Sequence, residues 1–124
     1  MRLALVVGIN YYNDLSCLYG CVNDAIAVSQ ALQRHGDGSV NFDCKLLTVA
    51  DSANALSRAS LKDKIAELFR TQADIALLYF AGHGHIEPTG GYLLASDATR
   101  GDDGLPLSEV QTLANGAMIR HASV

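Results

Sequence analysis

The sequence predicts an α/β fold, an open and mostly parallel sheet with helices on both faces, and three observations carry that prediction. Strand and helix patterns alternate along the chain; the strand patterns are continuous apolar runs; polar or glycine-rich loops follow the first and third of them. A continuous apolar run is what a strand covered on both faces requires. The order strand, helix, strand, helix, strand then calls for right-handed crossovers between parallel strands.

Leu3–Ile9 is the first such run, followed by a polar loop from Asn10 to Leu18. From Gly20 the spacing becomes helical: Val22, Ala25, Ile26 and Leu32 fall on one side, Asp24 lies in the first turn, Arg34 and His35 in the last, and Gly36 follows as a stop. Phe42–Val49 reads as the second strand. Ser57 or Ser60 can cap a second helix, whose Leu61, Ile65, Leu68 and Phe69 recur at helical intervals. Ile75–Ala81 is the third strand, again apolar on both faces, and leads into a glycine-rich turn, Gly82-His-Gly-His85. A short strand at Tyr92–Ala95 and a helix at Leu107–Ala114, opened by Pro106 or Ser108, complete the pattern. No repeat or linker interrupts it, so residues 1–124 read as one domain. In such folds the working crevice lies at the carboxyl ends of the strands. The loops of interest are therefore Asn10–Gly20 and Gly82–Gly91.

Composition narrows the class. The chain has 124 residues, of which 49% are apolar, with 9 Lys plus Arg against 13 Asp plus Glu and a net charge of −4. A chain of this size buries roughly two thirds of its unfolded surface, so its core needs no disulfides. Three cysteines are an odd number, and Met1–Ile9 carries no leader pattern; both point to a reducing cytosol. The Leu3–Ile9 run is too short to span a bilayer, and no basic face is available for nucleic acid.

A histidine between two glycines at a strand's carboxyl end is sterically exposed and has backbone N–H groups beside it. Those are the needs of a general acid/base next to an oxyanion site. Glycine-rich turns also carry polar residues that do no chemistry, and spacing alone leaves His83 open between the two. His85, outside the Gly-His-Gly bracket, reads as a solvated loop residue, and Asp24 by itself as ordinary capping chemistry. Cys17, Cys21 and Cys44 lack metal-ligand spacing, and Cys44 fits a small core residue. Asp102 and Asp103 read as a solvated turn rather than half of a calcium site. Phosphate-loop, dinucleotide-binding and serine-hydrolase motifs are absent, and the acidic residues of a phosphoacceptor receiver domain are missing from the strand ends.

Five blocks in order, Leu5-Val-Val-Gly-Ile-Asn10, Leu18-Tyr-Gly-Cys-Val-Asn-Asp24, Leu77-Leu-Tyr-Phe-Ala-Gly-His-Gly84, Tyr92-Leu-Leu-Ala-Ser-Asp97 and Leu105-Pro-Leu-Ser-Glu-Val110, resemble the caspase and metacaspase superfamily of cysteine peptidases. The likeness is nearest to bacterial caspase-like proteins and metacaspases and runs from Leu3 to about Ala114. The resemblance implies that His83 is the histidine of a Cys–His dyad and that the Gly84 N–H belongs to the oxyanion hole. It further implies that Asp24, with Cys21 one turn before it, lines the primary specificity pocket, where a buried carboxylate selects Arg or Lys in the substrate. That reverses the capping assignment for Asp24. Ala81 takes a pocket position where metacaspases often have serine, and Gly90, Leu107 and Ser108 fall where calcium-dependent members place aspartates, so no calcium or other cofactor is expected.

The family's nucleophilic cysteine follows its histidine by about 50 residues, whereas the sequence stops at Val124 with all three cysteines upstream of His83. The expectation is therefore the amino-terminal, histidine-bearing part of a caspase-like endopeptidase, incomplete on its carboxyl side and not competent alone. Residues Met118–Val124 would lead up to the strand that bears the nucleophile. The alternative is a pseudoprotease or assembly module whose open sheet edge takes a partner strand or a second copy. Substitution of the nucleophile by Cys17 or Cys21 is the weakest reading, because Cys21 should line a pocket.

Overall fold

The computed structural model describes residues 1–99, 104–117 and 119–123. Its elements run β1 (Arg2–Ile9), α1 (Cys21–Gln33), β2 (Asp43–Val49), α2 (Arg58–Arg70), β3 (Ala73–Ala81), β4 (Gly84–Glu87), β5 (Gly90–Leu93), β6 (Leu105–Pro106), α3 (Leu107–Asn115) and β7 (Ile119–Ser123). Among the described residues the strands form two sheets, a four-stranded one ordered β2-β1-β3-β7 and a three-stranded one ordered β4-β5-β6. Every pairing in the larger sheet is parallel, with Gly8 in register beside Thr48 on one side and Ala81 on the other.

β1 is central because both of its faces are apolar. Leu5, Val7 and Ile9 enter a core with Leu61, Ile65, Leu68 and Phe69 of α2 and Val110 of α3, while Ala4 and Val6 face Ala25 of α1. Side chains alternate across a strand, so one unbroken apolar run supplies both layers. α2 begins where Ser57 Oγ accepts from the Ser60 N–H and Asp97 Oδ1 accepts from the Arg58 N–H at 3.0 Å, satisfying two of the helix's orphan donors. Lys62 and Glu109 pair across α2 and α3.

The strand, helix, strand order, the parallel sheet and the α2 core stripe agree with the sequence expectation. Four details differ. α1 ends at Gln33 rather than after His35, because Arg34 bridges to Val40 and the His35 N–H bonds the Ser39 carbonyl, turning the chain back. The buried face of α1 is Ala25 and Ser29, with Ile26 left 36% exposed. The close approach at Gly8 explains this, since a Cβ there would lie 2.6 Å from the Ala25 Cβ and only small residues fit that contact. Gly84 and His85 lie in a strand, not a turn, and the small antiparallel sheet was not foreseen. Residues 119–123 themselves form a parallel strand beside β3, rather than a lead-in to one. Arg100, Gly101, Asp102, Asp103, Met118 and Val124 lie outside the described residues, and so does the assignment of Asp102 and Asp103 to a solvated turn.

Candidate active site

The loop between β1 and α1 is tied down along its length. The Asn10 and Tyr11 N–H groups both bond the Val49 carbonyl, at 2.9 and 3.2 Å, Leu18 N–H returns to the Asn10 carbonyl at 2.7 Å, and Asn13 N–H bonds the Ser96 carbonyl at 3.0 Å. Asn10 also caps α1 from a distance: its Oδ1 accepts from the N–H groups of Cys21 and Val22, at 3.0 and 3.1 Å. The helix's own N-cap is Gly20, which has no side chain to offer. The local reading of Asp24 as a cap is thus replaced by a residue from the previous strand's end. Sequence reasoning missed Asn10 because it lies 11 residues before the first residue of the helix; its signal was a polar residue directly after an apolar strand.

Cys21 and Ala81 lie on the α1 side of the sheet, and Asp24 is near enough to Cys21 for its charge to act on the thiol. A Cβ on Gly8 would stand 2.5 Å from the Cys21 carbonyl oxygen, so the first turn of α1 rests directly on the end of β1, and Ala81 is Gly8's register neighbour on β3. Burial, and then the Asp24 charge, push the Cys21 thiol above its usual range. Asp24 itself is exposed, and among the described residues its carboxylate has no hydrogen-bond or ion-pair partner. A carboxylate free of partners at a helix start can accept a cationic group.

His83 is held from four directions. Its N–H donates to the Tyr12 hydroxyl at 2.8 Å, its carbonyl accepts from the Leu94 N–H at 3.1 Å, and its Nε2 lies 2.7 Å from the Ser16 carbonyl oxygen. Its ring makes an edge-type contact with the Tyr12 ring, with centroids 4.6 Å apart and planes at 62°. A carbonyl can only accept, so Nε2 carries the proton and Nδ1 keeps its lone pair in the neutral ring. Gly82 makes this possible: a Cβ there would lie 2.6 Å from the Tyr12 hydroxyl. The Leu94 to His83 bond makes the facing pair Gly84–Leu93 a non-hydrogen-bonded one, so the Gly84 N–H points away from β5. Tyr12 and the Ser16 carbonyl were not foreseen from sequence, since a buried phenol and a main-chain oxygen leave no motif.

The remaining candidates stand apart. His85 is exposed as expected but sits on β4, where its ring is 3.0 Å from Glu87. Cys17 is exposed, with its Sγ 4.0 Å from the Tyr12 carbonyl, and the half-buried Cys44 bonds the Ser29 carbonyl from β2. Gly90, Leu107 and Ser108 occupy the start of β5 and the start of α3, and none carries a carboxylate. Among the described residues no helix is long and apolar enough to cross a membrane.

Comparison with known proteins bears on the family and the fold. The chain is 31% identical over 86 residues to Metacaspase-1 of Schizosaccharomyces pombe, covering 67% of this chain and 20% of that protein. It is 30% identical over 88 residues to Metacaspase-9 of Arabidopsis thaliana, covering 67% and 27% respectively. It thus spans less than a third of either relative. The crystal structure of a Geobacter sulfurreducens protein superposes with a TM-score of 0.69 at 21% identity, over 99% of this chain and 49% of that one, and supports the fold. The family model for the caspase domain of cysteine peptidases matches residues 1–119, and the chain belongs to that family.

Proposed function

We propose that this chain supplies the base, one oxyanion donor and part of the basic-residue pocket of a caspase-like cysteine endopeptidase, with the attacking thiolate coming from outside residues 1–124. The observation that carries the reading is the hydrogen bond from His83 Nε2 to the Ser16 carbonyl, which leaves Nδ1 as the free lone pair. In the forward reaction Nδ1 takes the thiol proton and the thiolate attacks the peptide carbonyl carbon. The oxygen that becomes negative is met by the Gly84 N–H, and the imidazolium passes its proton to the departing amine. Water, deprotonated by Nδ1, then hydrolyses the acyl-enzyme and restores the thiol.

Asp24, which among the described residues has no hydrogen-bond or ion-pair partner and lies one turn from Cys21, supports selection of Arg or Lys at the cleaved bond. Cys17 hangs on the loop near Tyr12, Cys21 is pushed toward its thiol form, and Cys44 bonds a helix carbonyl, which favours a nucleophile other than these three. The donor set at Gly90, Leu107 and Ser108 supports a mechanism without calcium or another cofactor.

The test is a peptidase assay on the gene's full product with reporters carrying Arg, Lys or Asp at the cleaved bond. Cleavage after Arg or Lys, reduced at least about 100-fold in His83→Ala, is expected. Cleavage after Asp alone would remove the Asp24 assignment, and undiminished activity in His83→Ala would remove the base. A second reading, an assembly module without activity, has one observation in its favour: among the described residues β7 pairs on one side only. A strictly monomeric mass in solution with no captured strand would count against it.

A further inference from the structure

We propose that Tyr12 is the positioning residue of His83, locking the histidine's main chain so that its ring can hold a single tautomer against Ser16. The proposal deepens the peptidase reading and rests on it for its catalytic consequence, but the geometry stands separately. Tyr12 is 2% exposed, and its hydroxyl accepts from the His83 N–H at 2.8 Å while donating to the Leu94 carbonyl at 2.9 Å. That one oxygen therefore joins the end of β3 to the end of β5, across the boundary between the two sheets.

His83 is pinned on its other side by the Leu94 N–H, so both of its main-chain polar groups are committed. The ring is the part left to turn, and it is bracketed by the Tyr12 ring and the Ser16 carbonyl. Tyr12 and Ser16 belong to the same tethered loop, so the loop sets both the histidine's backbone and its tautomer. Gly82 completes the fit, because any side chain there would displace the Tyr12 hydroxyl. Burial above all holds the phenol's pKa up, to about 12, so it stays a donor over the whole working range. Preorganised orientation of a base is worth a large factor in rate, since a small misplacement of a reacting group is amplified in the transition state.

The experiment uses the protein labelled with ¹⁵N, read by imidazole long-range couplings and by amide exchange. In the wild type the His83 ring should show the Nε2–H tautomer, and its amide should exchange as slowly as core amides of β3. Tyr12→Phe, which removes only the hydroxyl, and Gly82→Ala, which pushes it away, should both mix the tautomers and speed His83 amide exchange about tenfold. Both should also lower kcat about 10- to 100-fold with KM little changed in the full gene product. Ser96→Ala serves as the control for general destabilisation: it removes bonds to Leu56 and should lower Tm without moving the His83 signals.

An unaltered tautomer and exchange rate in folded Tyr12→Phe would overturn the proposal, as would an equal response in Ser96→Ala. If Tyr12→Phe does not fold, Gly82→Ala decides; rapid His83 amide exchange in the wild type overturns the proposal without any variant. Shifted His83 signals with no cleavage by the wild type would remove the peptidase reading and keep Tyr12's role. Cleavage equal to wild type with unshifted signals in Tyr12→Phe would do the reverse.

Discussion

Asn10→Ala separates the remote cap from ordinary helix propensity, because Asn10 belongs to no helix and its hydrogen bonds to α1 run through its side-chain oxygen. The substitution removes the acceptor for two first-turn N–H groups, those of Cys21 and Val22. Both residues are half-buried, so water can replace part of what is lost. Loss of a cap with one extra bond then costs about 1–2 kcal/mol. For 124 residues, at about 2 cal/mol/K of unfolding entropy each, that lowers Tm by roughly 4–8 °C. Urea and thermal unfolding measure the loss, and amide exchange at Cys21 and Val22 localises it; their rates should rise about tenfold while β1 amides keep theirs. Asn10→Asp keeps the acceptor and places a negative charge at the helix's positive end, so it should retain most of the stability at neutral pH. Unchanged Tm and exchange in Asn10→Ala, or equal losses in Asn10→Asp and Asn10→Ala, would refute the remote cap. In the peptidase assay the same variant should raise KM for basic substrates more than it lowers kcat, since it loosens the turn that carries Asp24.

Three further outcomes are expected. Ser96→Ala removes a fully buried hydroxyl that accepts from the Leu56 N–H at 2.6 Å and donates to its carbonyl at 2.7 Å; a loss of about 2–3 kcal/mol should appear in urea unfolding. Stability should fall on the alkaline side: Tyr12, Cys21 and Cys44 all have raised pKa values, burial being the largest cause of each, so the unfolded chain releases these protons first. The contributions of these three groups are fully present below about pH 9 and are lost above it; Tyr12's part, on the order of 2–3 kcal/mol, is lost between pH 10 and about 12 and should be missing from the unfolding profile of Tyr12→Phe. Chelation with EDTA should leave the peptidase activity of the full gene product unchanged, and a dependence on added calcium would refute the cofactor-free mechanism.

The parts of the fold that were legible in the sequence are those set by local periodicity. Leu61, Ile65, Leu68 and Phe69 announce a buried helical stripe, and the Leu3–Ile9 run announces a strand covered twice. The helix end at Gln33 was misplaced because a short turn around Gly36 and Gly38 competes with one more helical turn, and only its bridge to Val40 decides between them. The two-residue β6 and the four-residue β4 are too short to show a period at all.

By itself, the sequence determined the alternation of elements, the parallel core strands and the loops at which chemistry gathers, because apolar spacing is a property of neighbours along the chain. The five ordered blocks also marked His83, Gly84, Asp24, Cys21 and Ala81 as one family's pattern. Tertiary structure alone decided what holds His83: the Tyr12 hydroxyl lies 71 residues away in the chain, and the Ser16 carbonyl 67. It alone moved the cap of α1 to Asn10, 11 residues before Cys21, and left Asp24 exposed and, among the described residues, without a hydrogen-bond or ion-pair partner. The reason is physical. Directional hydrogen bonds between groups far apart in sequence exist only after packing has brought them within about 3 Å, and no periodicity encodes them beforehand.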